Sequence, residues 1–157
     1  MTEIRRIRTG EWEELRDLRL RALEREPLAF CATQAEEGRL SQAIWEERCR
    51  MGAESPRTAT MVVAVPEGLR GMTVVTREEE RAEIYAVYLD KELRGQGLAG
   101  QMLELAVQFG SGLPVWLEVN AELRAAESLY QRSGFRLDGS IRKFADGRVM
   151  RGWVRPR

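Results

Sequence analysis

A glycine-rich segment near the middle of the chain, GQGLAG at residues 95–100, constrains the fold more than any other feature. Gly95 and Gly97 permit backbone conformations that other residues avoid, and the amphipathic sequence from Leu98 onward predicts a helix. The N–H groups of such a turn, together with the positive end of the helix, favour a bound phosphate. Arg94 adds a positive charge beside the turn. The segment therefore predicts a phosphate-binding loop.

Residues 95–100 also match the G-x-G-x-x-G pattern of dinucleotide-binding proteins, but the sequence on either side of them does not fit that fold. In those proteins the first glycine directly follows a strand, whereas here the charged linker DKELR separates Leu89 from Gly95. Only residues 101–157 remain after the motif, too few to complete a doubly wound sheet. A turn that merely caps a helix is a further alternative, but it requires neither a second glycine nor Arg94.

Composition limits the chemistry that the chain can perform. The 157 residues include no histidine, which excludes Ser-His-Asp and Cys-His catalysis and His-ligated zinc. Proton transfer must therefore use carboxylates, tyrosine, cysteine or water, and we expect no metal. Basic and acidic residues number 25 each, so no net charge draws the chain to nucleic acid or to an anionic membrane.

The sequence also predicts where the protein works. No apolar run approaches the roughly 20 residues of a bilayer span, and the N-terminal residues MTEIRRIRTG lack the apolar core of a signal peptide. The two cysteines, Cys31 and Cys49, do not form a disulfide framework and are expected to be small core residues. We therefore expect a cytoplasmic protein with no membrane partner, folded as a single domain over residues 1–157.

Hydrophobic periodicity predicts an α+β fold. The predicted strands cover residues 3–8, 58–65, 69–77, 83–89 and 114–120, followed by a closing hairpin around the Asp-Gly pair at 146–147. The predicted helices cover residues 11–24, 41–51, 98–109 and 123–132. The order is β-α-α-β-β-β-α-β-α-β-β, and the strand after the glycine helix is expected to pair in parallel because a helical crossover precedes it. The result is a mixed, mostly antiparallel twisted sheet flanked by helices.

Three local expectations accompany this fold. Thr9 is placed to cap the first helix, and the second helix is expected to bury Ile44, Trp45 and Cys49 on one side. The last strand, RVMRGWVRP at 148–156, is expected to be an exposed edge through which a homodimer could form.

The segment LDKELRGQGLAGQML, residues 89–103, resembles the R/Q-x-x-G-x-G/A signature of the GNAT superfamily of acyl-CoA N-acyltransferases. The positions that match the signature are Arg94, Gly95, Gln96, Gly97, Leu98 and Ala99. Residues 117–135 are similar to a second block of the family, with Tyr130 at its tyrosine. The resemblance covers nearly the whole chain. It implies that the loop amides bind the pyrophosphate of coenzyme A and that acetyl-CoA is the cosubstrate.

One position departs from the family pattern. Members often carry an asparagine where this chain has Leu123, and that asparagine contacts the pantetheine arm of the cofactor. Asn120 is the residue expected to replace part of this contact. Lys91 stands where a proline is common, which we interpret as neutral.

The resemblance implies direct attack of an amine on the thioester, and it assigns roles to several residues. Glu83 is the first candidate for the general base, because a period of two places it on one strand face with Tyr85, Val87 and Leu89. Glu118 is the second candidate, and an exposed acid without a catalytic role is the alternative for Glu83.

Tyr130 is the expected general acid, with an aromatic residue packed in the core as its alternative. The family also implies that the backbone of Val87 and Leu89 binds the acetyl carbonyl and the pantetheine amides. The acceptor, a small-molecule or peptide amine, is expected against residues 24–38. Glu36 and Glu37 in that segment either attract a cationic amine or form a solvated turn.

Two non-enzymatic hypotheses are also consistent with the sequence. A catalytically silent acyl-CoA-binding module would keep the loop without the reaction, and the leucine at position 123 favours it slightly. A purely structural α+β domain would not bind coenzyme A at all.

Overall fold

The computed structural model describes residues 1–157 and contains seven strands and five α-helices. The strands are β1 (Glu3–Arg6), β2 (Thr58–Val65), β3 (Gly68–Arg77), β4 (Ala82–Leu89), β5 (Val115–Asn120), β6 (Arg136–Lys143) and β7 (Val149–Arg155). The helices are α1 (Trp12–Arg25), α2 (Gln34–Glu37), α3 (Gln42–Glu54), α4 (Leu98–Phe109) and α5 (Arg124–Arg132). Short 3-10 turns lie at Pro27–Ala29 and Lys91–Leu93. None of the helices combines the length and apolar surface needed to span a bilayer.

All seven strands belong to one sheet, in the order β1-β2-β3-β4-β5-β7-β6. Every neighbouring pair is antiparallel except β4 and β5, which are parallel because α4 connects them as a crossover. This arrangement confirms the predicted α+β class, the mostly antiparallel sheet and the order of the main elements. Helix α2, of four residues, is an addition to the predicted order.

A hydrophobic core lies on each face of the sheet. On one face α4 and α5 pack against the strands, and α4 buries Met102, Leu103 and Ala106. On the other face α1 and α3 cover the sheet. The helical period in the sequence predicts a buried face of α4 made of Leu98, Met102, Leu105, Ala106 and Phe109. The structure buries Met102 and Ala106, leaves the other three half-buried and adds the fully buried Leu103.

Two expectations about helices α1 and α3 were wrong. Ile44 is 42% exposed, whereas Trp45 and Cys49 are buried as predicted. Cys31, which was also expected in the core, is exposed. Thr9 does not cap α1: its hydroxyl donates to Glu54 Oε1 at 2.9 Å, and Glu11 occupies the N-cap position. Glu11 instead accepts hydrogen bonds from Arg5, which ties the start of α1 to β1.

The last strand is not an edge of the sheet, contrary to expectation. Strand β7 pairs with β5 on one side and with β6 on the other, so its backbone groups are already bonded on both sides. The edge is β6, which is exposed along its whole length. A homodimer remains a prediction, but β7 cannot be the strand that forms it by edge pairing.

A β-bulge interrupts β4 at Ala86, whose φ of 58° is the only positive value at a non-glycine residue. The register of the β3–β4 pair shifts here, so that Ala86 and Val87 together oppose Thr73. An extra residue in one strand reverses the alternation of side chains beyond it.

The bulge changes which residues share a face of β4. Val87 and Leu89 pack with the α4 cluster beside Ile84, whereas Glu83, one residue before Ile84, points to the opposite face. The prediction that Glu83 shares a face with Val87 and Leu89 was therefore wrong. Glu83 shares its face only with Tyr85, because the extra residue at position 86 shifts the period of two.

Asp90 anchors the end of β4 to α1. Its side chain is 1% exposed and accepts hydrogen bonds from Arg21 Nη2 and from the Tyr88 hydroxyl, each at 2.8 Å. Burial alone would raise the pKa of Asp90, but the hydrogen bonds from Arg21 and Tyr88 outweigh burial and hold the pKa below its ordinary value. The carboxylate thus fixes the point from which the glycine loop departs.

Candidate active site

The site begins where β4 and β5 separate. These parallel strands form only three residue pairs, and the pairing ends at Ile84 and Leu117. The bulge at Ala86 follows directly, so β4 bends away from its neighbour. The two strands therefore leave a gap in the middle of an otherwise continuous sheet.

The backbone of β4 turns unpaired polar groups toward this gap. The Asp90 N–H donates to the Arg70 carbonyl oxygen on the β3 side. Alternate residues of an antiparallel strand direct their N–H and C=O groups to opposite neighbours, so those of Val87 and Leu89 face away from β3. Arg94 Nε donates to the Leu89 carbonyl oxygen at 2.9 Å. No strand pairs with Val87 on the β5 side, and its N–H and C=O groups are open to the gap.

The glycine loop connects β4 to α4 in the way the motif predicts. Gly95 and Gly97 have φ values of 85° and 79°, in the left-handed region that favours glycine, and Gly97 is the N-cap of α4. No side chain caps this helix end. A Cβ added at either glycine would meet no atom within 4 Å. The first N–H groups of α4 therefore face open space that a ligand could occupy.

A cleft of about 730 Å³, here called the loop cleft, runs past these glycines. Its lining includes the loop residues Arg94, Gly95, Gly97, Leu98 and Ala99, while the exposed Gln96 does not contribute. Arg94 is not free, since its guanidinium is 3.0 Å from Glu26 Oε1. Arg124 and Arg132 of α5 also line the loop cleft and were not predicted. The cleft thus combines an uncapped helix N-terminus with three arginines, which suits a phosphorylated ligand.

A second cleft of about 640 Å³, here called the sheet cleft, passes through the gap between β4 and β5. Both predicted carboxylates line it, and so do residues 29–32 of the connection after α1. The loop cleft and the sheet cleft share the five residues Ala29, Val87, Leu123, Ala126 and Tyr130. Because these residues line both clefts, the two clefts meet in the gap.

Tyr130 lies at this meeting point. Helix α5 carries it, and its ring packs edge-to-face against Phe135 with centroids 6.1 Å apart. Burial raises the pKa of the Tyr130 phenol well above its ordinary value, so the hydroxyl keeps its proton at neutral pH. The hydroxyl forms no hydrogen bond within the protein and is free to donate one to a ligand. The residue is thus both part of the core, as one alternative predicted, and accessible from the clefts.

Both candidate bases are held by arginines. Arg81 Nη2 lies 2.9 Å from Glu83 Oε1, and the same guanidinium stacks over the ring of Trp116 at 4.1 Å. Glu118 accepts hydrogen bonds from Arg142, one of them at 3.2 Å from Nε. Glu83 keeps a second carboxylate oxygen, Oε2, without a partner. The geometry therefore leaves Glu83 better able than Glu118 to accept a proton.

Asn120 and Leu123 occupy different positions relative to the two clefts. Asn120 is buried, donates to the Leu28 carbonyl oxygen at 3.2 Å and accepts from the Glu122 N–H at 2.9 Å. It lines the sheet cleft and not the loop cleft. These bonds make Asn120 a residue that positions the connection after α1, and its contact with pantetheine stays a prediction. Leu123 lies at the meeting point and presents an apolar side chain there.

The acids Glu36 and Glu37 of the connection after α1 have partners within the protein. Glu37 is buried between Arg19 Nε and Arg48 Nη1, each 3.0 Å from Oε1. Burial would raise the pKa of Glu37, but these two arginines lower it overall. Glu36 accepts from Thr33 in a capping box at the start of α2. The expectation that Glu36 and Glu37 attract a cationic amine, or form a solvated turn, was therefore wrong for Glu37.

The comparisons with known proteins agree with this geometry. The family model described as the Acetyltransferase (GNAT) family matches residues 12–135. A comparison with curated proteins gives no match.

Three solved structures illustrate the shared fold. One is a GNAT-family acetyltransferase from Streptococcus pneumoniae, with 20% identity over 99% of both chains and a TM-score of 0.82. Another is a phosphinothricin acetyltransferase from Sinorhizobium meliloti in complex with acetyl-CoA, with 17% identity over 99% of this chain and 88% of the other and a TM-score of 0.75. The third is the ribosomal-protein-S18-alanine N-acetyltransferase from Escherichia coli, with 20% identity over 99% of this chain and 94% of the other and a TM-score of 0.69. At these sequence identities the solved structures show only that the fold is shared, and the match to the family model shows the family. By its sequence match and by its fold, the chain belongs to the GNAT family of acetyltransferases.

Proposed function

We propose that the protein transfers an acetyl group from acetyl-CoA to a primary amine. The observation that carries this proposal is the meeting of the loop cleft and the sheet cleft at Tyr130 and Val87. A cofactor bound in the loop cleft would present its thioester in the gap, and an amine in the sheet cleft would reach it from the other side. Two clefts that join in one gap suit a direct transfer between two bound molecules.

The loop cleft has the features that coenzyme A requires. The open N–H groups at the start of α4 would bind the pyrophosphate oxygens, and Gly97 leaves room for them to approach the backbone. Three arginines, Arg94, Arg124 and Arg132, line the cleft against two glutamates, Glu26 and Glu122, so the lining carries an excess of positive charge. The structurally similar phosphinothricin acetyltransferase was solved with acetyl-CoA, which supports the same assignment.

The reaction needs help in removing a proton from the amine. A primary amine with a pKa near 10.4 is neutral about once in 2,500 molecules at pH 7, which represents about 4.6 kcal/mol of barrier. Glu83 is the proposed base, because its carboxylate lines the sheet cleft and has one oxygen without a partner. It acts directly or through water on the ammonium of the bound acceptor.

The other end of the reaction needs a proton and a hydrogen-bond donor. Tyr130 is the proposed acid that protonates the departing thiolate, since its phenol is protonated at neutral pH and has no partner within the protein. The Val87 N–H is the proposed donor to the acetyl oxygen as negative charge develops there. Both residues line the loop cleft and the sheet cleft where the two meet.

Coenzyme A should stabilise the folded protein if the loop cleft binds it. Ligand at 100 times its dissociation constant adds about 2.7 kcal/mol, which corresponds to about 5–10 °C in the melting temperature of a domain of this size. We expect this shift with CoA and acetyl-CoA and none with NAD, in a thermal melt at equal nucleotide concentrations. An unchanged melting temperature in saturating acetyl-CoA would contradict the assignment of acetyl-CoA as the cosubstrate.

A further inference from the structure

A third cavity opens beside the sheet cleft, between α1, α3 and the sheet. Its volume is about 360 Å³, within the range of small-molecule sites. We call it the side slot. Its apolar walls are Leu15, Trp45, Met51, Met72, Val74 and Tyr85. Arg19, Tyr85 and Ala86 line both the side slot and the sheet cleft, so a molecule bound in the gap could extend into the slot.

Two exposed apolar side chains lie at the rim of the side slot. Met51 is 38% exposed and Tyr85 is 49% exposed, and both line the slot. Together with the apolar walls, they give the slot the mostly apolar lining that small-molecule sites have. The inner wall is aromatic as well, since the buried Trp45 lies under the guanidinium of Arg48 at 4.9 Å from its ring centroid.

The side slot has no unpaired carboxylate that could bind a cation. Arg19 and Arg48 line the slot, and both are bound to Glu37. Glu47 is the one acid in the lining, and it is paired with Arg50 on the same helix. A second ammonium group placed here would lie near two arginines and would find no free carboxylate.

On the basis of the proposed acetyl transfer, we propose that the side slot selects the acceptor by binding an apolar aromatic group. The acceptor is then a monoamine with an aromatic substituent, whose ring enters the side slot while its amine reaches the gap through the sheet cleft. A polyamine is disfavoured, because its further ammonium groups would face Arg19 and Arg48, which share the single carboxylate of Glu37. The ring would contact Tyr85 and Trp45, which suits aromatic stacking.

Calorimetric titration of two amines tests this proposal directly. The probes are 2-phenylethylamine and spermidine, each titrated into the free protein and into the protein saturated with CoA. We expect 2-phenylethylamine to bind at least tenfold more tightly than spermidine. Met51→Trp, which fills the slot from its rim, should weaken 2-phenylethylamine binding at least tenfold. Ile44→Trp is the matched control, because Ile44 is equally exposed on α3 and does not line the slot.

The outcomes separate this inference from the proposed function. Equal binding of the two amines, tighter binding of spermidine, or 2-phenylethylamine binding that Met51→Trp leaves intact would each overturn the slot assignment. CoA binding by the same samples reports on the proposed function alone, and far-ultraviolet circular dichroism shows separately that both variants are folded. Loss of amine binding in Met51→Trp but not in Ile44→Trp supports the slot even in protein that does not bind CoA.

Discussion

Gly97→Asp should weaken the binding of CoA at least 100-fold and leave the protein folded. The carboxylate would lie at the uncapped start of α4, where the pyrophosphate is proposed to bind. Two like charges about 4 Å apart repel by about 4 kcal/mol at an effective dielectric constant of 20, which exceeds the 100-fold loss. The fold should survive because an added Cβ meets nothing within 4 Å, and the left-handed backbone costs only about 1–2 kcal/mol. Titration calorimetry with CoA measures the effect.

Gly112→Asp provides the matched control for this variant. Gly112 follows α4, has a φ of 88° and also has no atom within 4 Å of an added Cβ, but it does not line the loop cleft. It therefore carries the same backbone strain and the same added charge away from the site. If Gly97→Asp is folded and binds CoA as tightly as Gly112→Asp does, the glycine loop is not the pyrophosphate site.

Tyr130→Phe should reduce kcat by about 10- to 100-fold and change the affinity for acetyl-CoA only a few-fold. The substitution removes the hydroxyl and keeps the ring that packs against Phe135. General acids contribute about 10² to 10⁴-fold, and a thiolate is already a fair leaving group, so the lower end is expected. Steady-state kinetics with an amine that the wild-type protein acetylates give kcat and KM separately.

The division between kcat and KM decides the role of this hydroxyl. A loss confined to KM would mean that Tyr130 positions a substrate and donates no proton in the reaction. Turnover at the wild-type rate would mean that water protonates the sulfur. Tyr130 would then be a core residue without a catalytic role.

The main elements were predictable because each of them carries a long periodic pattern. Strand β2 and helix α4 were predicted well, since one is a run rich in β-branched and apolar residues and the other begins at a glycine turn. Helix α2 was missed because four residues are too short for a helical period to be visible. The position of β7 inside the sheet depends on long-range pairing, which local patterns do not encode.

The candidate site was predictable only in part. The glycine loop has the backbone that the motif predicts, with positive φ at Gly95 and Gly97, whereas Gln96 does not line the loop cleft. The binding roles of the loop residues remain predictions. The faces of β4 were not predictable, since nothing marks Ala86 as a residue with positive φ, and the bulge there separates Glu83 from Val87. Arg124 was missed because it approaches the loop cleft only through the packing of α5.

The central claim is the transfer of acetyl from acetyl-CoA to an amine, and product analysis tests it most directly. The wild-type protein is incubated with acetyl-CoA and a panel that includes an aromatic monoamine, a polyamine, an amino acid and a peptide with a free N-terminus. The account predicts that one class of amine is acetylated, with acetyl-amine by mass spectrometry and free CoA by thiol assay appearing in equal amounts. If the protein binds CoA but no amine of the panel is acetylated above the uncatalysed background, the claim is contradicted and the chain is a silent acyl-CoA-binding module.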